Sequence, residues 1–280
     1  MSENITVYSA KKHERVSAFE AVRALATEIW THRWHIAQIF RRDFANTYRL
    51  TRFGAVWNYI LPLVPISVWV TLNSLRLFPV FDGVKSVVYV TMGVTAWFFF
   101  AGFVSVPIST VESKIKEVSR SQLPLIGVII ASFANLIFDT LVRFAGVVIV
   151  FAIFQGAPHW QVIFAPLIIL SGMLFFSGLG LTLAVFNLAY RDVAKVVSII
   201  LQYGMLLSSV VFPFDHMPPL SEISLFNPFY VFIDATRTLA VFGELRHPIA
   251  LGVFSFVGVL LFLFSCRLIY VAQPRLKGFA

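Results

Sequence analysis

A single cysteine, Cys266, leaves no disulfide framework and no cysteine-based metal cluster to build on. Charge is also scarce. Asp, Glu, Lys and Arg make up 13% of the 280 residues, 58% are hydrophobic, and mean hydropathy is +0.82. A soluble domain of this length cannot clothe its surface with so little charge, so the chain reads as a polytopic membrane protein. Acids are the scarcer sign. Asp43, Asp82, Asp139, Asp192, Asp215 and Asp234 stand singly along the chain, whereas a membrane enzyme acting on polyprenyl phosphate would need acids clustered around a metal. Phosphate-loop, H-E-x-x-H and G-x-S-x-G patterns are all missing, so the sequence offers no ATP site, metal site or catalytic residue of its own. The first 50 residues hold no apolar h-region, which makes the internal spans the expected means of insertion. No internal repeat supports an inverted-repeat transporter.

What charge there is has a pattern. The net +8 gathers in Lys11, Lys12, Arg15, Arg23, Arg33, Arg41, Arg42, Arg49 and Arg52, in two short loops and in the tail. That is the positive-inside signature and not a nucleic-acid face. The expected order is a polar arm (1–19), an amphipathic cytoplasmic block (20–53), a transmembrane domain (54–271) and a basic tail (272–280). Within 20–44, Val22, Leu25, Ile29, Ile36 and Phe40 share one helical face. Trp30 and Trp34 interleave with Arg33, Arg41 and Arg42 as on a helix lying along a membrane surface. A solvated helix packed on a partner protein is the other reading. The fold expected is all-α, with spans at 54–77, 86–110, 125–154, 160–186, 193–212 and 248–271. Six spans put both termini on one side, and the Lys and Arg bias makes that side cytoplasmic.

Between the last two spans the pattern breaks. Pro213, Pro218, Pro219 and the pair Asn227-Pro228 precede an apolar run at 229–242 that carries Asp234 and Arg237. At about 1.5 Å per residue that run is roughly 21 Å long, short of the ~30 Å hydrocarbon core. Segment 213–247 therefore reads as a re-entrant element at the outer mouth of a pathway, buried by protein or lining water. Two more features stand out. Asp139 and Arg143 lie four apart on one helical face, where an isolated charge would cost at least ~2.5 kcal/mol. They form either a functional pair at the pathway or subunit interface, or a pair that only orients its helix. Glu112, Lys114, Lys116, Glu117 and Arg120 form a short charged helix between spans, and Tyr190, Arg191 and Asp192 a polar corner. These are rigid knobs for a soluble motor, or ordinary cytoplasmic loops.

Thirty phenylalanines, six tryptophans and eight tyrosines are for the most part apolar filler. Trp97, Phe98, Phe212, Phe214, Phe226, Phe229 and Tyr230 are the candidates for lining a path, where rings can stack weakly on sugar C–H faces.

Several of these residues fall into a known register. Arg42-Asp43, Tyr48-Arg49, Thr51, Gly54, Trp57 and Pro62 resemble the entry to the first span of ABC-2 type permeases that export capsular polysaccharide, O-antigen or teichoic acid. The likeness continues through Gly93 to Phe100, Ser113 to Pro124, Asn187 with Arg191-Asp192, Met217-Pro218-Pro219 and Asn227 to Tyr230. The N-terminal arm is longer than in those proteins. The resemblance implies a homodimer of six-span subunits in the cytoplasmic (inner) membrane. It implies two copies of a separate ATP-binding subunit, which hold the ATP and Mg, and a lipid-linked polysaccharide as substrate. Block 20–53 becomes a gate helix, 112–122 the coupling helix with 190–195 as a second contact, and 215–242 a re-entrant pair. The alternatives are an ABC-2 permease for a drug or non-glycan lipid, a polyprenyl-phosphate enzyme, and a purely structural scaffold.

Overall fold

Ser17 begins the first ordered helix. Its hydroxyl accepts from the Glu20 N–H, and its own N–H donates back to the Glu20 carboxylate at 2.8 Å, a reciprocal cap that holds that carboxyl below its usual range. The computed structural model describes residues 16–49, 83–120, 124–214 and 217–276, with a few isolated positions between 60 and 75. The first expected span, 54–77, lies mostly outside the described residues, as do most of the arm and the end of the tail.

Helix α1 is Ala18–Thr31 and α2 is Arg33–Arg49. The single amphipathic helix expected over 20–44 is thus divided at His32, which leaves the helical region at φ −98, ψ 13. The break keeps the apolar stripe on one side. Leu25 and Ile36 are buried, and Val22, Ile29 and Phe40 pack against the same core. Trp30 and Trp34 are turned out, with the Arg33 guanidinium 4.7 Å and 5.8 Å from their ring centres.

Helix α3 runs over Ser86–Arg120, 35 residues without interruption, through Pro107. At about 1.5 Å per residue this is roughly 52 Å, well beyond the hydrocarbon thickness. The separate charged helix expected after residue 110 does not exist as such. Residues 111–120 are the projecting end of the second span's helix. Then follow α4 (Leu125–Phe154), a 3-10 turn at Trp160–Phe164, α5 (Ala165–Ala189) and α6 (Asp192–Gly204). Short α7 (Leu220–Ile223), α8 (Pro228–Val241) and α9 (Pro248–Leu276) complete the described helices. The described residues contain helices and no strand, and four stretches are long and apolar enough to cross a membrane: Ser86–Ile115, Leu125–Phe154, Trp160–Ala189 and Pro248–Gln273.

The span expected at 193–212 is cut short. Helix α6 ends at Gly204, a 3-10 turn covers Leu206–Ser208, and Ser209 turns the chain at φ +50. Val210 and Val211 then bury themselves instead of continuing outward. Gly93 on α3 makes this possible, since a Cβ there would stand 2.3 Å from the Val210 carbonyl oxygen.

Helix α3 is the axis, its apolar stretch being mostly buried (72%) where those of the other three are mostly not. Helix α5 reaches it by glycine contact. A Cβ on Gly180 would lie 2.2 Å from the Phe103 carbonyl oxygen, and one on Gly178 would lie 2.7 Å from the Phe262 backbone nitrogen of α9. Small residues let helix backbones close on each other where lipid supplies no hydrophobic drive. Gly180→Ala is expected to destabilise the bundle by about 1–3 kcal/mol by forcing α5 off α3. Gly146→Ala, where no atom stands within 4 Å, should leave the unfolding temperature in detergent unchanged or slightly raised.

Candidate functional site

Two polar regions lie at opposite ends of α3. At its far end Glu112 is exposed, and the half-buried Lys114 forms an ion pair with Asp43 of α2. Asp43 also accepts from Arg42 at 3.4 Å. One turn beyond Phe40, Phe44 meets Phe138 of α4 edge-on at 4.9 Å. The projecting end of α3 is therefore tied to the amphipathic helix by charge, and that helix is tied to α4 by ring packing. Lys116, Glu117 and Arg120 continue along the same helix.

The polar corner forms where α5 stops. Tyr190 is extended at φ −134, ψ 96, and buried Asn187 accepts from the Ala194 N–H at 3.0 Å, which fixes the turn into α6. Arg191 and Asp192 are exposed, as is Lys195, whose 3.4 Å pair with Asp192 contributes little in water. Helices α3 and α5 run parallel, because Phe100 meets Gly172 and Phe103 meets Gly180. Lys114 and Arg191 both lie beyond the second contact, so the two polar regions stand at the same end of the bundle.

At the Ser86 end sits α8. Asn227 caps it, accepting from the Phe229 N–H at 3.0 Å while its amide donates to the Leu207 carbonyl and the Ser208 hydroxyl, both at 2.9 Å. Gly243, at φ +73, closes the other end by donating to the Thr238 carbonyl. Phe229 packs on Trp97 at 4.4 Å, and Arg237 sits over the Tyr89 ring at 3.5 Å. The helix thus starts eleven residues in from the end of α3 and climbs antiparallel to it. Buried on nearly every side, α8 is an internal element and not a surface span.

The expected lining rings divide into buried and outward-facing ones. Trp97, Phe214 and Tyr230 are 3%, 3% and 4% exposed. Phe229 is half-buried between Trp97 and Phe176, 4.2 Å from the latter. Phe212 is half-buried against Phe214 at 5.5 Å. Phe98, at 37%, and Phe226, at 84%, do turn outward. Phe98 also lies 5.5 Å from the guanidinium of Arg143, which stands with Asp139 on α4, both half-buried. Asp234 and Arg237 are buried in α8. Sequence reasoning missed Tyr89 and Ser209, and met Gly93 only within the family register. Their role depends on Val210 folding back, which no local pattern announces.

A helical bundle with an amphipathic N-terminal pair, one over-long central helix and an internal capped helix before the last span is now in view. Residues 35–241 match the family model described as ABC-2 type transporter. The chain belongs to the ABC-2 type transporter family. It is also 22% identical over 238 residues to the O-antigen export system permease protein RfbA of Myxococcus xanthus, covering 80% of this chain and 86% of that protein. As an ABC-2 membrane permease it is a multi-pass transport subunit, of the kind that pairs with ATP-binding subunits. The ABC-2 permease holds α8 by its caps, so Asn227→Ala should cost about 1–2 kcal/mol in detergent unfolding. Asn227→Asp, which keeps the acceptor and loses the two amide bonds, should fall between that variant and the unaltered protein.

Proposed function

We propose that this chain is the membrane-spanning permease subunit of an exporter that moves a lipid-linked polysaccharide, of O-antigen or capsule type, across the cytoplasmic membrane. Two such subunits, each of six spans, enclose the path. ATP hydrolysis in two separate subunits, docked on the cytoplasmic side against residues 112–122 and 190–195, drives it. The carrying observation is that α3 is one unbroken helix from the Asp43–Lys114 pair to the Tyr89–Arg237 contact. A push on its projecting end reaches both the amphipathic helix and the internal helix α8 without crossing a loop. Lys114 and Arg191, at the same end of the bundle, give a docked motor two points of purchase. The glycan assignment leans on the O-antigen export relative and on Phe98 and Phe226, the two candidate lining rings that turn outward.

A drug or non-glycan lipid is the second reading, favoured by the burial of Trp97, Phe214 and Tyr230. Reconstituted with its ATPase, the permease should translocate lipid-linked glycan, and a short-chain fluorescent lipid should not compete. Competition without glycan movement would establish the second reading.

Lys114→Glu sets like charges against Asp43 at the motor-facing end. Export per ATP hydrolysed is expected to fall roughly tenfold, the order of an ordinary coupling energy, with membrane abundance unchanged. The swap Asp43→Lys with Lys114→Asp should recover part of it. Full export in the single variant would remove Lys114 from the coupling path.

A further inference from the structure

Helices α1 and α2 have two faces. On one, Ala21, Leu25, Ile36 and Ile39 are buried, and the pair is fastened to the ends of two spans. Arg267 of α9 donates to the Val16 carbonyl at 3.0 Å, and Gln273 donates to the Glu28 carboxylate at 2.8 Å. A Cβ on Gly127, in the first turn of α4, would stand 3.1 Å from the Ile36 side chain. The apolar stretch of α4 begins at Leu125 and that of α9 ends at Gln273. The pair therefore lies where two spans leave the hydrocarbon, at the depth of lipid headgroups. On the other face, Phe19, Arg23, Ala26 and Trp30 share one side of α1 by their spacing, and all are exposed. Trp34, Gln38 and Arg41 repeat that spacing along α2 and are exposed as well. The rings of Phe19, Trp30 and Trp34 are turned out by 74%, 70% and 70%, an arrangement that water disfavours and a headgroup layer accommodates.

Arg33 stands between the two tryptophans. Its guanidinium lies within cation–π reach of both rings, and its Nη1 donates to the Trp30 carbonyl at 3.1 Å. The acids of α1 are engaged elsewhere, Glu20 by Ser17 and Glu28 by Gln273. The stacking fixes the plane of the guanidinium and leaves Nε–H and Nη2–H as parallel donors, the geometry that fits a phosphate. A soluble phosphate would use that edge alone. A phospholipid uses the rings too, its phosphate meeting Arg33 while its glycerol and upper acyl carbons cover the indoles. Arg23 and Arg41 on the same stripe repel a choline and favour a lipid of net negative charge. We propose that the exposed face of α1 and α2 binds the headgroup of an anionic phospholipid, with Arg33 holding the phosphate and Trp30 and Trp34 flanking it. The bound lipid fixes the helix pair at the membrane surface beside the ends of α4 and α9. The site is independent of what the permease carries.

The test uses the full chain with its ATP-binding subunits, in nanodiscs of phosphatidylglycerol and phosphatidylcholine with matched tails. The tails of one lipid or of the other carry bromine, which quenches nearby indoles. Subtracting the signal of the double variant Trp30→Phe, Trp34→Phe isolates those two rings. Quenching should report phosphatidylglycerol enriched roughly fivefold over phosphatidylcholine, the order given by one basic side chain at a charged surface, and the enrichment should shrink as salt is added. Arg33→Gln should return the ratio to that of the bulk lipid. Equal quenching by the two lipids in the unaltered protein overturns the proposal, as does an enrichment that Arg33→Gln leaves unchanged. An enrichment removed by soluble glycerol phosphate also overturns it, by assigning the site to a free phosphate. Quenching by neither lipid overturns it too, because the face is then covered by the attached subunits or by a second copy.

Discussion

Polar backbone inside an apolar bundle must find its partners within the protein, and α8 is where this constraint is tightest. Its body is buried and its two cap residues, Asn227 and Gly243, are half-buried, so most of its end groups are completed by the protein itself. Asn227 satisfies the first turn and ties it to Leu207 and Ser208, while Gly243 and the His159–Ala240 backbone bond, at 3.0 Å, satisfy the last. Much of the surrounding architecture follows. Helix α6 must stop early so that residues 207–211 can reach this cap and α3. Gly93 must lack a side chain so that Val210 fits. Phe100, Phe175 and Phe176 must enclose Phe232.

The opposite end of α3 obeys a different physics. There the groups are wet or half-wet, single ion pairs are weak, and geometry matters more than energy. The Asp43–Lys114 pair contributes little to stability but defines which helix follows when α3 is displaced. One helix thus joins a region held by packing to a region held by charge.

Much of this was readable from the chain alone. The spans at 125–154, 160–186 and 248–271 fall within residues or a turn of the helices found, and the short run at 229–242 becomes Pro228–Val241. The apolar face through Val22, Leu25, Ile29, Ile36 and Phe40 is the face that packs. Such features depend on a residue's near neighbours, which periodicity reports. What escaped depends on distant ones. Nothing local says that the charged residues after 110 extend a span instead of starting a new helix, or that Ser209 will adopt a left-handed turn. The burial of Trp97, Phe214 and Tyr230 escaped for the same reason. A Trp or Tyr reads alike in sequence whether its ring faces a pathway or, as with Trp97 and Tyr230, another ring.

The glycine contacts of α5 set limits on how the molecule can change shape. With Gly178 seated on the α9 backbone and Gly180 on that of α3, three long helices are joined at main-chain distance, where even a one-residue slide would drive carbonyls into Cα atoms. They form a keel that translates or rocks as one body. Among the described elements, the amphipathic pair α1 and α2, the outward-facing α4 and the short α6 show no such glycine-to-backbone seat on this keel. An alternation between closed and open forms would, among the described residues, draw on rolls and shifts of those four against that centre.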